Sequence, residues 1–289
     1  GPIRVPSARH QSLKHDHTMK NMSFNQRVSI LIGTLVFALM GIHFVAPIPQ
    51  DPSYHAFADL RSCFGIPNFG DVASNIGFAL VGFWGLWFVL GRWGGNIFPD
   101  RIDASPYILF FAGVALVSVG SVHYHVDPNN AGLFWDRLPM TVAFMAFFTA
   151  LIADRIHGGI AILWTMPVLI GLGVLSLVYW NVTEAQGEGD LRYYGLVQFY
   201  PILALPLILW LFPKGRYTTG SHLLWVVFWY ALAKALEFFD YEVFALLGGL
   251  ISGHTLKHIA AAVSAVVIVR MLSAHRKQHQ FVKTRGDNV

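Results

Sequence analysis

The sequence predicts an all-α, polytopic bundle of transmembrane helices, and three observations predict it. Charged residues make up only 12% of the 289-residue chain, about half the roughly 25% of an ordinary soluble domain. Hydrophobic residues make up 55% and the mean hydropathy is +0.51, so two soluble domains of this length could not cover their surfaces with polar groups. Apolar stretches long enough to cross lipid recur along the chain. About 20 helical residues, at about 1.5 Å each, span the roughly 30 Å of hydrocarbon.

Eight spans satisfy that length. The first, 28–46, is stopped by Pro47, Pro49 and Pro52. The second and third, 71–91 and 105–124, flank Pro99. Spans at 136–153, 160–179 and 195–212 follow, the last ending before Pro213. The seventh and eighth are 221–239 and 245–272. Pro167, Pro201 and Pro206 fall inside spans, where neighbouring helices satisfy the freed carbonyls. Trp84, Trp180, Tyr193 and Trp225 stand near span ends and fit interfacial belts. Gly171, Gly173, Gly248 and Gly249 read as sites of close helix packing.

The domain plan has four parts. Residues 1–27 form a polar, basic tail whose Gly1-Pro2 reads as the scar of a protease cleavage. Residues 28–46 are one N-terminal span, 68–272 hold the other seven, and 273–289 form a second basic tail. Ten of the 20 Lys and Arg residues lie at positions 1–27 and 270–289. The ten between them face fourteen Asp and Glu, so no basic stripe exists to follow a nucleic acid despite the pI near 9.2. The single cysteine, Cys63, excludes a disulfide framework and any CxxC site.

Charge also predicts orientation. One set of connections holds Arg92, Arg101, Arg155, Lys214 and Arg216 beside both tails. The opposite set holds Asp51, Asp59, Asp127, Glu184, Glu188, Asp190, Asp240 and Glu242 against Arg61 and Arg192 alone. The positive-inside rule then puts both termini on the cytoplasmic side. A bacterial inner membrane and an ER or Golgi membrane fit equally.

Ionisable residues at membrane depth carry the functional signal, because each is costly there. His254 and His258 are four apart in the last span and share a helical face. That spacing suits a metal that draws two ligands from one helix; it also suits two histidines bonded to neighbouring helices. The third span ends in Ser121 and His125, again four apart, and the fourth opens with Asp136. By the predicted topology all of these converge near the non-cytoplasmic leaflet. Three histidines with an open position describe a catalytic zinc site. His123 reads as an interfacial residue, and Lys234 with Glu237 as a pair that neutralises itself within the bundle.

The run from Ser121 and His125 through Asp136 to His254 and His258 resembles the alkaline ceramidases. They belong to a superfamily of seven-span membrane hydrolases that includes the adiponectin-type receptors. The segment Asn68-Phe69-Gly70-Asp71-Val72-Ala73-Ser74-Asn75 is similar to the motif opening the family's first shared helix, and the likeness extends over about residues 68–272. The resemblance implies hydrolysis of the amide of ceramide, a membrane lipid substrate, to a sphingoid base and a fatty acid. It implies zinc on His125, His254 and His258, with Asp136 as acid–base group and Ser121 assisting the oxyanion. Three features depart from the family: the span at 28–46, Lys257 between the two histidines, and Asn68 where a calcium-binding glutamate would stand. Asp51, Asp59 and Asp71 are the residues available to rebuild a calcium site, though their spacing differs. A zinc-stabilised receptor or scaffold, and a hydrolase of another lipid amide or ester, are the alternatives.

Overall fold

A computed structural model describes residues 22–91 and 97–286 of the chain. Most of the N-terminal tail, including Gly1-Pro2, lies outside the described residues, as does Arg92. Every regular element among those described is helical, apart from an isolated bridge between Cys63 and Ile66. The long helices are α1 (Phe24–His43), the broken pair α2 (Phe69–Ser74) and α3 (Ile76–Leu90), α4 (Arg101–Val126), α5 (Asn130–Arg155), α6 (Ile162–Ala185) and α7 (Arg192–Leu211). They are followed by α8 (Gly220–Phe238), the short α9 (Asp240–Leu246) and α10 (Gly253–Gly286).

Seven helices among the described residues are long and apolar enough to cross a membrane, with α2 and α3 taken together. Counting the bent pair α8 and α9 as one span makes eight. The protein is an all-α, multi-pass integral membrane protein. Boundaries differ from the sequence expectation where side chains stop the helices. Ser23 caps α1 in a capping box with Gln26, so the helix begins four residues before the expected 28. The predicted span at 245–272 starts instead at Gly253, because Gly248 and Gly249 have φ of 64° and 74° and make a turn after α9. Those two glycines therefore serve a reversal, and Gly171 has open space around it; Gly173 does pack, against Thr141 and Met145. The expected C-terminal tail at 273–289 continues α10 through Gly286.

The core lies among α3, α4, α5, α7, α8 and α10, where Tyr107, Phe111, Leu151, Ile208, Leu223 and Leu272 are buried in one cluster. Helix α1 has no buried residue. It touches the bundle through α7: Arg27 Nη1 donates to the Leu211 carbonyl at 3.2 Å, and Thr34 Oγ1 meets the Tyr200 hydroxyl at 3.1 Å. Trp180, expected in an interfacial belt, is fully buried; its ring lies 4.7 Å from the Arg137 guanidinium, which also faces Tyr54 and Tyr194.

The succession of helices puts Gln186 and Lys214 at opposite ends of α7. Cysteine at Gln186 should react with an impermeant reagent in intact right-side-out cells, in a Cys63→Ala background, and cysteine at Lys214 should not. The reverse pattern would overturn the cytoplasmic placement of the termini.

Candidate metal centre

The site forms where one end of the bundle gathers the end of α4 and the starts of α2, α5 and α10. Close approach of α4 and α5 depends on Gly120: a Cβ there would overlap the Trp135 carbonyl. That approach sets Ser121 and His125 beside Asp136, which lies in the second turn of α5 because the helix begins at Asn130, earlier than the sequence suggested. Gly253 similarly lets the start of α10 lie against the backbone of Leu236 and Asp240. His254 and His258 then occupy the first two turns of α10 on one face.

The three histidines come together. His125, His254 and His258 are 0%, 4% and 2% exposed. Their ring centroids form a nearly equilateral triangle with sides of 4.8, 4.9 and 5.0 Å. One ligand nitrogen from each lies within 4.8 Å of the others. His125 Nε2 and His254 Nε2 are 3.3 Å apart, which is about the edge of a tetrahedron with Zn–N bonds near 2.05 Å. That distance also suits an N–H···N contact, and Lys257 Nζ lies 2.8 Å from the same His254 Nε2; a metal at the centre would take the lone pair that Lys257 meets. His125 Nδ1, on the ring edge away from the centre, is buried without a protein partner among the described residues. A buried triad of this shape can bind a metal ion.

Surrounding residues hold the rings in place. Ser74 Oγ lies 2.8 Å from His258 Nδ1 and itself donates to the Asp71 carbonyl at 3.0 Å, which leaves His258 Nε2 for the centre. Such outer partners orient ligating imidazoles. Asp71 is fully buried and accepts from the Thr255 and Ser252 hydroxyls at 2.6 and 3.2 Å, tying α2 to α10. Asp240 accepts from the His254 backbone N–H at 2.7 Å and from the Ala58 N–H at 2.9 Å. This draws the loop between α1 and α2 across the site, and Phe57 stacks 4.7 Å from His125 and 4.6 Å from His254. Sequence reasoning missed Phe57 and Asp240, since no spacing rule connects a loop aromatic to a helix one hundred and more residues away. Ser74 stood inside the motif noted above, but its hydroxyl gave no sign of its partner.

Asp136 is outside the group of side chains close enough to share an ion with the triad, and Ser121 stands with it on a cavity wall. They line, with His258, a cavity that is partly open to the outside. Ser121 and Asp136 face this cavity together from α4 and α5. The rest of the cavity is apolar and includes Phe110, Val114, Phe147, Leu151, Leu205 and Ile268. From His258 to Ile268 it follows α10 for ten residues, roughly 15 Å. Helices α7 and α8, consecutive in the chain, both face this space. Lys257, expected simply to depart from a family pattern, sits in the cavity wall with its Nζ 2.8 Å from His254 Nε2 and 3.0 Å from Glu237 Oε1. His123 points away and is exposed.

The proposed calcium ligands are not assembled. Asp51 caps the turn at Ser53, Asp71 is held by Ser252 and Thr255, and Asp59 is paired with Arg61 at 2.6 Å. The Arg61 hydrogen bonds hold the Asp59 carboxyl below its usual range. The histidine triad is the one group of three or more candidate ligands among the described residues.

Compared with models of known protein families, with curated proteins and with solved structures, the chain matches none.

Proposed function

We propose that the protein is an intramembrane, zinc-dependent hydrolase of lipid amides, with ceramide as the substrate that its resemblance to the alkaline ceramidases implies. The observation that carries this reading is the buried histidine triad at the polar end of a long apolar cavity whose wall holds a carboxylate and a hydroxyl. Three imidazoles are the donor set of a catalytic zinc site that keeps one position open, whereas structural zinc is normally closed by four protein ligands. Zinc bound there would supply Lewis acidity and make water a nucleophile near neutral pH.

The chain's own residues do the rest. The apolar cavity takes the acyl chain and holds the amide at the triad. Asp136 accepts a proton from the attacking water and passes it to the leaving nitrogen. The Ser121 hydroxyl donates to the carbonyl oxygen as negative charge develops. Phe57 closes the loop side of the site and strengthens these interactions by excluding water. Water's oxygen joins the carbonyl carbon, the C–N bond breaks, and the nitrogen gains a proton; no electrons are transferred.

Protein purified without added metal should contain close to one zinc per chain by elemental analysis. It should release fatty acid from ceramide, and a chelator should stop that release. Active protein that holds no metal would end the zinc reading. A metal-loaded protein that hydrolyses no amide or ester in a lipid panel would favour the receptor or scaffold alternative.

A further inference from the structure

The connection from α8 to α10 exposes an apolar surface. Helix α9 turns 83° away from α8, so it runs nearly at right angles to a helix that crosses the bilayer. Phe238 is 79% exposed, Leu246 84% and Leu250 78%. Residues 238–250 hold two acids. Asp240 is buried and accepts from the Ala58 and His254 N–H groups, which leaves Glu242 as the exposed charge of the segment.

A second apolar element lies beside it. Cys63 and Ile66 exchange backbone hydrogen bonds of 3.1 and 2.9 Å and close a tight hairpin with Phe64 and Gly65 at its tip. Both tip residues have positive φ, 52° and 77°. Glycine takes that conformation freely, whereas a bulky side chain there is strained. The strained backbone holds the Phe64 ring outward, 90% exposed, with one edge contact to Phe69 of α2 at 6.1 Å. Arg61 fastens the hairpin to the α9 side. Its Nη2 donates to the Leu250 carbonyl at 2.8 Å, and its guanidinium lies 5.4 Å from the centre of the Phe244 ring. Through Asp240 and His254, the two elements join the end of the bundle that holds the triad.

Apolar patches of this kind mark contact with lipid or with another protein, and continuity selects lipid. Helix α3, which follows the hairpin by way of α2, exposes Ile76, Leu80 and Phe83. Their i, i+4, i+7 spacing makes one stripe, the face that a span turns to acyl chains. Phe238, the last residue of α8, carries the same kind of surface from a span onto α9.

We propose that α9 and the 60–66 hairpin form an interfacial platform, seated at the boundary of headgroups and acyl chains in the leaflet nearest the triad, with the lipid surface itself as partner. Phe64, Phe238, Leu246 and Leu250 enter the apolar layer, and the exposed charges of Arg61 and Glu242 reach toward the headgroups. Apolar burial in lipid then offsets the strain at Phe64, which water would leave uncompensated. Such a platform is independent of what the triad catalyses. It fixes a depth: Asp240 ties α9 to the first turn of α10, so seating the platform holds His254 near the same boundary.

Spin labels report the surroundings of each position. Phe64→Cys, Leu246→Cys, Phe83→Cys and Gln186→Cys are each made in a Cys63→Ala background, labelled in the full chain and placed in phosphatidylcholine nanodiscs. Collision with dissolved oxygen, which concentrates among acyl chains, is compared with collision with a water-soluble nickel chelate. Position 83 is the lipid reference and position 186 the aqueous one. At positions 64 and 246 oxygen collisions should exceed nickel collisions several-fold, as at 83 and in reverse of 186. A nickel excess at 64 or 246 would place that element in water and overturn the proposal. A label that neither reagent reaches would show that protein covers the surface, as a second copy would, and would overturn it equally. Thermal melting checks the fold of each variant, and Leu60→Cys reads the same hairpin if Phe64→Cys does not fold.

Discussion

Replacing His258 with alanine should abolish metal binding and amide hydrolysis together, and His125→Ala and His254→Ala should do the same. Each ring supplies one of the three nitrogens gathered within 4.8 Å, and the two that remain cannot hold an ion against water. The effect is therefore expected to be all or nothing within the range of an assay. Ser74→Ala gives an internal contrast. It removes the 2.8 Å contact at His258 Nδ1 but no ligand, so metal affinity should fall by about 10–100-fold, the usual cost of losing an outer partner. Activity should return at high zinc in Ser74→Ala and not in His258→Ala. Metal content by elemental analysis and turnover with added zinc, measured on each folded variant, check both outcomes. A His258→Ala protein with full zinc and full activity would remove the triad from the mechanism.

Much of this architecture was legible because lipid imposes simple rules. A helix must be long and apolar to span, so the eight expected spans correspond to helices, including the bent α8 and α9 pair. Ionisable residues in such helices are rare, so His125, His254 and His258 stood out, and i, i+4 spacing placed the last two on one face. Contacts between distant elements were not legible. Trp180 looked like an interfacial residue until Arg137, 43 positions earlier in the chain, was seen to press on its ring. The loop that carries Phe57 across the triad depends on the Asp240 carboxylate, whose two bonds to Ala58 and His254 leave no trace in local pattern. Gly248 and Gly249 illustrate a different failure. Small residues in an apolar run suit close packing and a tight turn alike, and backbone sign decides between them.

Asp136→Asn should separate acid–base chemistry from metal binding. Asp136 lies outside the group of nitrogens that could share an ion, on the cavity wall with Ser121 and His258. Asparagine keeps the shape of the side chain, so fold and zinc content should hold. What is lost is a group able to take a proton from water and return it to the leaving nitrogen. Turnover should fall by about 10²–10⁴-fold, the usual worth of a positioned general base. Ser121→Ala should fall less, with zinc retained, because its hydroxyl is one donor to the developing oxyanion and not the proton carrier. Binding of a slow lipid amide should change little in either variant, which assigns the loss to the chemical step. Zinc content, thermal melting and ceramide turnover on the same preparations decide the matter. A folded, zinc-loaded Asp136→Asn protein with wild-type turnover would take the proton-transfer role away from Asp136. Loss of zinc in that variant would instead make the carboxylate a part of the metal centre, and the open position of the triad would then belong to it.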